Sequence, residues 1–175
     1  MSSYPKVTLL VLQSLDGIIA HNQSDNLSWG SSQDKQHFRD FVKKTGTMII
    51  GSNTFESMPI KAFTGFYTFV LTSKPENYTE SNNPHISFFK GTPEEILNHL
   101  ATKGVAKVVL AGGGSVNSSF LSAGLVDEIY VTIAPKIFVQ GVKGYGNLPL
   151  DINLEIISSS NISLQELLIH YKVIK

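Results

Sequence analysis

The 175-residue chain lacks cysteine and contains a single arginine, Arg39. Without cysteine, the protein forms no disulfide and uses no thiol chemistry. Acidic and basic residues number 14 each, so the formal net charge is zero. A nucleic-acid partner requires a basic face, which this composition does not provide. We therefore expect no nucleic-acid partner.

Charged residues are also scarce, at 16% of the chain, whereas 42% of residues are hydrophobic. The length fits one domain over residues 1–175 with a sizeable core. Apolar runs are shorter than a membrane span, and the N-terminus has no basic region followed by a long apolar segment. The five histidines show no close pairing, so no metal site is expected. These features predict a cytoplasmic protein without a membrane partner, either a monomer or a homodimer.

The most informative segment is 108–117, where an apolar, β-branched run ends at Gly112, Gly113 and Gly114. Glycine lets the backbone approach a ligand where any Cβ would collide. A helix beginning at Gly114 or Ser115 would direct unpaired N–H groups and partial positive charge at a phosphate. The segment thus indicates a nucleotide site; the alternative is a tight strand-to-helix turn. Its spacing matches neither the dinucleotide fingerprint nor the Walker pattern.

The hydrophobic pattern predicts strands alternating with helices. Strands are expected at 7–13, 47–51, 67–72, 85–89, 106–111 and 128–133, and a final strand pair at 154–160 and 164–173. Helices are expected from Ser31 or Ser32 to 44, and at 53–58, 92–103 and 115–123. This alternation predicts an α/β fold with a mostly parallel central sheet, an antiparallel C-terminal edge and helices on both faces.

Small and polar residues follow three of the predicted parallel strands. They are Gly51–Thr54, Thr72 with Ser73, and Gly112–Gly114. Ligands of open parallel sheets bind at the carboxyl ends of the strands. The three strand ends therefore favour one elongated cofactor that crosses the sheet edge.

Five motifs occur in order along nearly the whole chain. They are Ser14–Ala20, the set Trp29, Asp34 and Phe38, then Ile49–Ser57, Ala111–Val116 and Tyr130–Thr132. Together they resemble the dihydrofolate reductase family, including the reductase domain of riboflavin biosynthesis. The resemblance implies a dihydrofolate reductase-like three-layer fold. It also implies transfer of a hydride from NADPH, with NADH possible, to a small heterocyclic pteridine or aminopyrimidine substrate.

The resemblance also assigns site residues. The substrate would contact Leu12, Trp29, Asp34, Phe38 and Thr132, with Asp34 as the catalytic carboxylate. The cofactor would contact Leu12, Ile19, Ala20, Gly51, Ser52, Thr54, Thr72, Ser73, Ala111, Gly112, Gly113, Gly114, Ser115 and Val116. The bond between the first two glycines is cis in this family. A methyl group at Gly113 is therefore expected to disturb both the fold and cofactor binding.

A carboxylate at Asp34 suits the implied chemistry, because its two oxygens accept two parallel N–H bonds from an amidine edge. Burial of this carboxyl would raise its pKa, and a bound cationic ring would lower it. The alternative is a first-turn helix acid stabilised by the helix dipole. Trp29 and Phe38 also fit a plain core, and Thr132 fits a strand. Asp16 is expected to be a turn residue before Gly17.

Four positions depart from the family pattern. Phe66 stands where dihydrofolate reductases carry the arginine that holds the folate tail, and Ser52 and Ser115 replace arginines that contact cofactor phosphates. Ala111 stands where the riboflavin branch has a glutamate. We favour a folate-type substrate, with the 5-amino-6-(5-phosphoribosylamino)uracil of riboflavin synthesis as the alternative. A nucleotide-binding module without catalysis is a third interpretation.

Overall fold

A large central sheet organises the structure, a computed structural model that describes residues 4–22, 25–78, 83–147 and 151–175. In chain order the strands are β1 (Lys6–Ser14), β2 (Ile18–Ala20), β3 (Thr47–Gly51), β4 (Tyr67–Leu71), β5 (Ile86–Phe89), β6 (Lys107–Leu110), β7 (Glu128–Ala134), β8 (Val142–Lys143), β9 (Leu154–Asn161) and β10 (Leu167–Val173). The helices are α1 (Ser32–Thr45), α2 (Ser52–Ser57), α3 (Pro93–Thr102) and α4 (Gly114–Ser122), with 3₁₀ turns at Ile60–Phe63 and Pro75–Tyr78.

The main sheet has the strand order β5-β4-β3-β6-β1-β7-β10-β9. The strands from β5 to β7 pair in parallel. Strand β10 runs antiparallel to both of its neighbours, β7 and β9. The predicted fold class, a mostly parallel sheet with antiparallel pairing at its C-terminal edge, is confirmed.

Apolar side chains cover both faces of the central strands. In β3, Ile49 packs on one face, whereas Met48 and Ile50 pack on the other. The face of Ile49 is covered by apolar residues of α3 and α4, and the opposite face is covered by α1. Burial on both faces explains why these strands are near-continuous apolar runs and why helices must cover them.

Two parts of the chain differ from the sequence-based prediction. Strands β2 and β8 pair with each other in a small separate sheet, and both are too short to show a periodic pattern. Strand β10 begins at Leu167 rather than at 164. Residues before it form a turn in which Ser163 Oγ accepts the backbone N–H groups of Gln165 and Glu166. Such local side-chain hydrogen bonds compete with strand pairing.

The start of α1 is fixed by its N-cap residue, Ser31. Its Oγ accepts the backbone N–H of Asp34 at 3.0 Å, and the helix ends at Gly46 in the left-handed conformation. Helix α3 has the cap that its sequence predicts, a reciprocal capping box between Thr92 and Glu95 with Pro93 in the first turn. The cap of α1 puts Asp34 in the first helical turn.

Helix α4 packs closely against the segment 141–147. A Cβ at Gly114 would overlap the carbonyl oxygen of Lys143. The side chain of Asn117, which is buried, donates to the carbonyl oxygen of Gly144 at 2.8 Å. A Cβ at Gly113, in contrast, would lie 3.4 Å from Thr54 Oγ1. The glycine that the fold requires for close packing is therefore Gly114, not Gly113 as the sequence suggested.

Replacing Gly114 with alanine is expected to destabilise the protein by about 1–3 kcal/mol or more, because two backbone segments must separate to admit the methyl group. Urea unfolding of Gly114→Ala and Gly113→Ala measures the difference. Gly113→Ala is the matched control, since its methyl group meets only a side-chain hydroxyl. Equal unfolding midpoints for the two variants would contradict this packing argument.

Candidate active site

The carboxyl ends of five adjacent parallel strands meet at one edge of the sheet, in the order β4, β3, β6, β1 and β7. Ligands of open parallel sheets bind at this edge. The first three ends carry the residues proposed for the cofactor: Thr72 and Ser73, Gly51–Thr54, and Gly112–Gly114. The last two strands carry Leu12 and Thr132, which are register partners. The edge therefore has a glycine-rich half and a half around Thr132, joined by β1.

The glycine-rich half is built around the turn between β6 and α4. The backbone N–H of Gly51 donates to the carbonyl oxygen of Gly112 at 2.8 Å, and the Gly112–Gly113 peptide is cis, as the resemblance implied. Gly112 has a φ of 88°, in the left-handed region that favours glycine. A Cβ at Gly51 would lie 2.9 Å from Val116 Cγ2, so glycine lets β3 approach α4.

The first turn of α4 has the properties of an anion site. Its N-cap is Gly113, and in the described part of the chain no side chain caps the helix. The first N–H groups of a helix lack partners within the helix, and its N-terminus carries partial positive charge. Glycines in front of this terminus form a cradle that side chains would otherwise fill. A diphosphate fits this arrangement.

Two of the remaining cofactor candidates, Thr54 and Ile19, are connected to this turn. Thr54 lies beside Gly113, whereas Ile19 packs near Gly144, whose N–H donates to Gly17. Ser115 and Ser73 are exposed, and Ser52, Thr72, Ala20 and Ala111 are half-buried. An open cleft of about 580 Å³ is lined by Gly114 and Ser115 of α4 and by residues of the segment 141–147. The structure thus groups Gly51, Thr54 and Val116 with the glycine turn, while Ile19 reaches it through the segment 141–147.

Asp34 and Thr132 form the second half of the site. Asp34 is 8% exposed and Thr132 is 2% exposed. The Thr132 hydroxyl on β7 lies near the Asp34 carboxylate on α1, where it favours the ionised form and lowers the pKa of that carboxyl. Phe38 follows one turn later on α1 and packs against the core on that face of the sheet. The structure therefore brings the predicted pair of carboxylate and threonine together.

Burial of Asp34 raises the pKa of its carboxyl above the ordinary value of 3.8. The Thr132 hydroxyl opposes this shift, whereas the negative charge of Glu166 adds to it. His37 and Lys35, on the same helix, act to lower the pKa by smaller amounts. The net effect is a carboxyl that retains its proton to a higher pH than a solvated aspartate does.

Trp29 lies in the loop before α1, and its contacts are with other loop residues. Its indole N–H donates to Asp25 Oδ2 at 3.3 Å, and its ring packs edge-on against Phe138 at 5.2 Å. Asp25 also pairs with His21, whose ring lies 4.2 Å from that of Phe138. The indole N–H is therefore used to order this loop.

Asp16 has the turn role that the sequence predicts. Its carboxylate accepts the Ser14 hydroxyl and the backbone N–H groups of Phe138 and Val139, at 3.2 and 2.8 Å. Val139 has a φ of 65°, which is rare for a β-branched residue. Asp16 thus holds the 138–139 turn against the end of β1.

Sequence reasoning missed Glu166, which lies in the turn before β10 and is 5% exposed. Its carboxylate accepts the backbone N–H of Ser31 at 3.0 Å and the Ser31 hydroxyl. Because Ser31 is 135 positions away in sequence, no local pattern links the two residues. A lone acid beside an apolar strand is the only signal that the sequence contains.

The fold and the arrangement of the site define a dihydrofolate reductase-like domain. The chain belongs to the RibD C-terminal domain family, whose model matches residues 5–165. Among the described residues, no group of three or more potential ligands could hold a metal ion, and no helix is long and apolar enough to cross a membrane.

Solved structures show the same fold. A Shewanella sp. PV-4 protein assigned to riboflavin biosynthesis has a TM-score of 0.82 and 21% identity, over 97% of this chain and 99% of that one. A Thermotoga maritima deaminase/5-amino-6-(5-phosphoribosylamino)uracil reductase has a TM-score of 0.76 and 17% identity, over 98% of this chain and 57% of that one. Dihydrofolate reductase from Enterococcus faecalis, complexed with NADP(H), has a TM-score of 0.74 and 21% identity, over 99% of this chain and 100% of that one.

Replacing Asp34 with asparagine is expected to stabilise the protein at pH 7, by about 0.5–2 kcal/mol. The pKa of Asp34 is raised in the folded state, so the wild type loses stability as pH rises from 3.8 through the folded pKa. The neutral amide avoids this loss. Chemical unfolding between pH 3 and pH 8 measures the difference in the free energy of unfolding between the variant and the wild type, with about one measurement per pH unit.

Asp40→Asn is the matched control for this prediction, because Asp40 is exposed on the same helix. We expect its stability to follow that of the wild type at every pH. A less stable Asp34→Asn at pH 7 would contradict the prediction and support the alternative role of Asp34 as a first-turn acid stabilised by the helix dipole.

Proposed function

We propose that this protein is an NAD(P)H-dependent reductase that adds a hydride to a C=N bond of a pteridine or aminopyrimidine. The observation that carries this proposal is the buried pair of Asp34 and Thr132, which lies one strand away from an uncapped, glycine-lined helix terminus. Membership of the RibD C-terminal domain family supports the reductase class. The fold shared with an NADP(H)-bound dihydrofolate reductase supports the cofactor.

Asp34 would bind an edge of the substrate ring that presents two parallel N–H groups, because the two carboxylate oxygens accept two such bonds. Thr132 lies near the same carboxylate and favours its ionised form. In the reduction, the hydride adds to the carbon of a C=N bond and a proton adds to its nitrogen. This bond is in the ring of a pteridine, whereas in the aminopyrimidine it is the imine that the ring-opened phosphoribosylamino group forms. The raised pKa of Asp34 suits it to hold that proton beside the substrate.

The glycine-rich half would hold the cofactor, which supplies the hydride when bound. The N–H groups that follow Gly113 suit its diphosphate, and Leu12, Ile19 and Ala20 suit its nicotinamide end. Thr72 and Ser73 would lie at its adenosine end. The sole arginine, Arg39, lies on α1, whereas Ser52 and Ser115 stand where dihydrofolate reductases have arginines that contact the cofactor phosphates. We therefore propose that NADH is accepted as well as NADPH.

Phe66 bears on the choice of substrate. It is 6% exposed and packs in the core on the face that α1 covers. A buried phenylalanine offers no charge to the carboxylate tail of a folate. Together with the family match, this observation leads us to rank 5-amino-6-(5-phosphoribosylamino)uracil ahead of dihydrofolate, the reverse of the order expected from the sequence.

The proposal is tested by NADPH oxidation in the presence of the aminopyrimidine, of dihydrofolate and of neither substrate. NADPH oxidation that requires a heterocycle supports a reductase. The substrate that is reduced more rapidly shows whether the enzyme belongs to riboflavin or to folate metabolism. Calorimetric titration with NADPH and NADH tests the third interpretation, a nucleotide-binding module without catalysis. Binding without any turnover would support that module, and no binding of either cofactor would overturn the proposal.

With an accepted substrate, Asp34→Asn is expected to reduce the rate of hydride transfer by roughly 10²-fold or more, because a positioned acid–base group contributes about that factor. The amide has the size of the acid but lacks its charge and one acceptor. Single-turnover kinetics measures the rate, and calorimetry should show nearly unchanged affinity for NADPH. Asp40→Asn again serves as the control. Normal turnover by Asp34→Asn would make Asp34 a structural residue.

Gly113→Ala is expected to weaken NADPH binding at least tenfold, about 1.4 kcal/mol, while unfolding nearly as the wild type does. Its methyl group would face Thr54 Oγ1 in the gap between α2 and α4, where the diphosphate is proposed to bind. Calorimetric titration measures the affinity. Ser122→Ala, at the exposed C-terminal end of α4, is the control. Affinity equal to that of the wild type would exclude this placement of the diphosphate.

A further inference from the structure

Glu166 is a buried acid held by three hydrogen-bond donors. Its Oε1 accepts the backbone N–H of Ser31 at 3.0 Å, and its Oε2 accepts the hydroxyl groups of Ser31 and of Ser163, the latter at 3.3 Å. Among the described residues, no lysine, arginine or histidine forms an ion pair with it. Burying a carboxylate without a cation costs stability unless hydrogen bonds offset the loss of water. Packing alone therefore does not explain why an acid occupies this buried position.

Ser31 connects Glu166 to Asp34. A serine hydroxyl has one proton to donate and lone pairs to accept with. Because the Ser31 proton is donated to Glu166, the oxygen is left to accept the backbone N–H of Asp34, at 3.0 Å. Glu166 therefore sets the orientation of the hydroxyl that caps α1, and the cap in turn positions Asp34 in the first helical turn.

Glu166 also acts on Asp34 through its charge. Two nearby negative charges oppose each other's ionisation, so the charge of Glu166 favours the protonated form of the Asp34 carboxyl. The other charged groups that act on Asp34, His37 and Lys35, lie on its own helix and have the opposite effect. From β7, the facing group is the uncharged hydroxyl of Thr132. Among the described residues, Glu166 is thus the acidic group that acts on Asp34 from outside α1.

We propose that Glu166 is the positioning residue of the Asp34 site: it fixes the first turn of α1 through Ser31 and keeps a second negative charge beside Asp34. This inference rests on the proposed function, in which Asp34 binds the substrate and holds a proton. Glu166 touches neither the substrate nor the cofactor in this arrangement. Because Glu166 is negatively charged, Asp34 keeps its proton to a higher pH than burial alone would allow.

The test compares Glu166→Gln with the wild type in two measurements. First, the carboxyl carbon of Asp34 is titrated by NMR in the protein without ligands, and we expect its midpoint to move to lower pH in the variant. Second, the pH profile of hydride transfer is measured with the accepted substrate. The part of this profile that follows the ionisation of Asp34 should also move to lower pH. We expect kcat/KM at neutral pH to fall about tenfold.

Two further variants complete the test. Glu155→Gln is the matched control, because it removes the same charge at an exposed position of β9; the Asp34 titration midpoint should stay that of the wild type. Glu166→Asp retains the charge but is one methylene shorter, so it withdraws from Ser31. The titration midpoint of Asp34 should move less in this variant than in Glu166→Gln. If Glu166→Gln does not fold, Glu166→Asp takes its place in the test.

The outcomes separate the two proposals. An Asp34 midpoint that stays in place in folded Glu166→Gln, or in Glu166→Asp if only that variant folds, would overturn the role of Glu166. A shifted midpoint with a matching shift of the pH profile would support it. A shifted midpoint together with normal turnover by Asp34→Asn would support the coupling of the two carboxyls and overturn the proposed function of Asp34.

Discussion

Strand β1 joins the two halves of the site, because it pairs in parallel with β6 on one side and with β7 on the other. This pairing brings the glycine turn after β6 and Thr132 on β7 to the same edge of the sheet. Both faces of these strands are apolar and must be covered by helices. Parallel crossovers bring the N-termini of α1 and α4 to that same edge. The ends of helices and strands, which carry polar groups, therefore converge where a ligand can reach them.

The two halves have opposite electrostatic character. The N-terminus of α4 presents unpaired N–H groups and partial positive charge behind glycines, which suits an anion. The N-terminus of α1 is instead covered by the carboxylates of Asp34 and Glu166, with Ser31 between them. One half favours a phosphate-bearing ligand, and the other favours a ring with N–H donors. The proposed reductase, which would bind a nucleotide cofactor beside a heterocycle, needs this division.

Much of the fold could be predicted because its signals are local. The alternation of Met48, Ile49 and Ile50 follows from the two faces of one strand, and the caps at Ser31 and Thr92 are set within one helical turn. The short pairing of β2 with β8 was not predictable, because five residues in two distant segments leave no period to detect. Pairing of this kind depends on the approach of the 141–147 segment to α4.

The sequence by itself determined the fold class, the helix start that carries Asp34 and the glycine turn after β6, because each depends on residues that are neighbours along the chain. Only the tertiary structure decided which polar groups meet. Asp34 lies near Thr132 because α1 covers β7, and Glu166 reaches Ser31 across 135 positions because β10 pairs beside β7. The order of strands in a sheet depends on packing of the whole chain, so the partner of a buried carboxylate cannot be read from its neighbours in sequence.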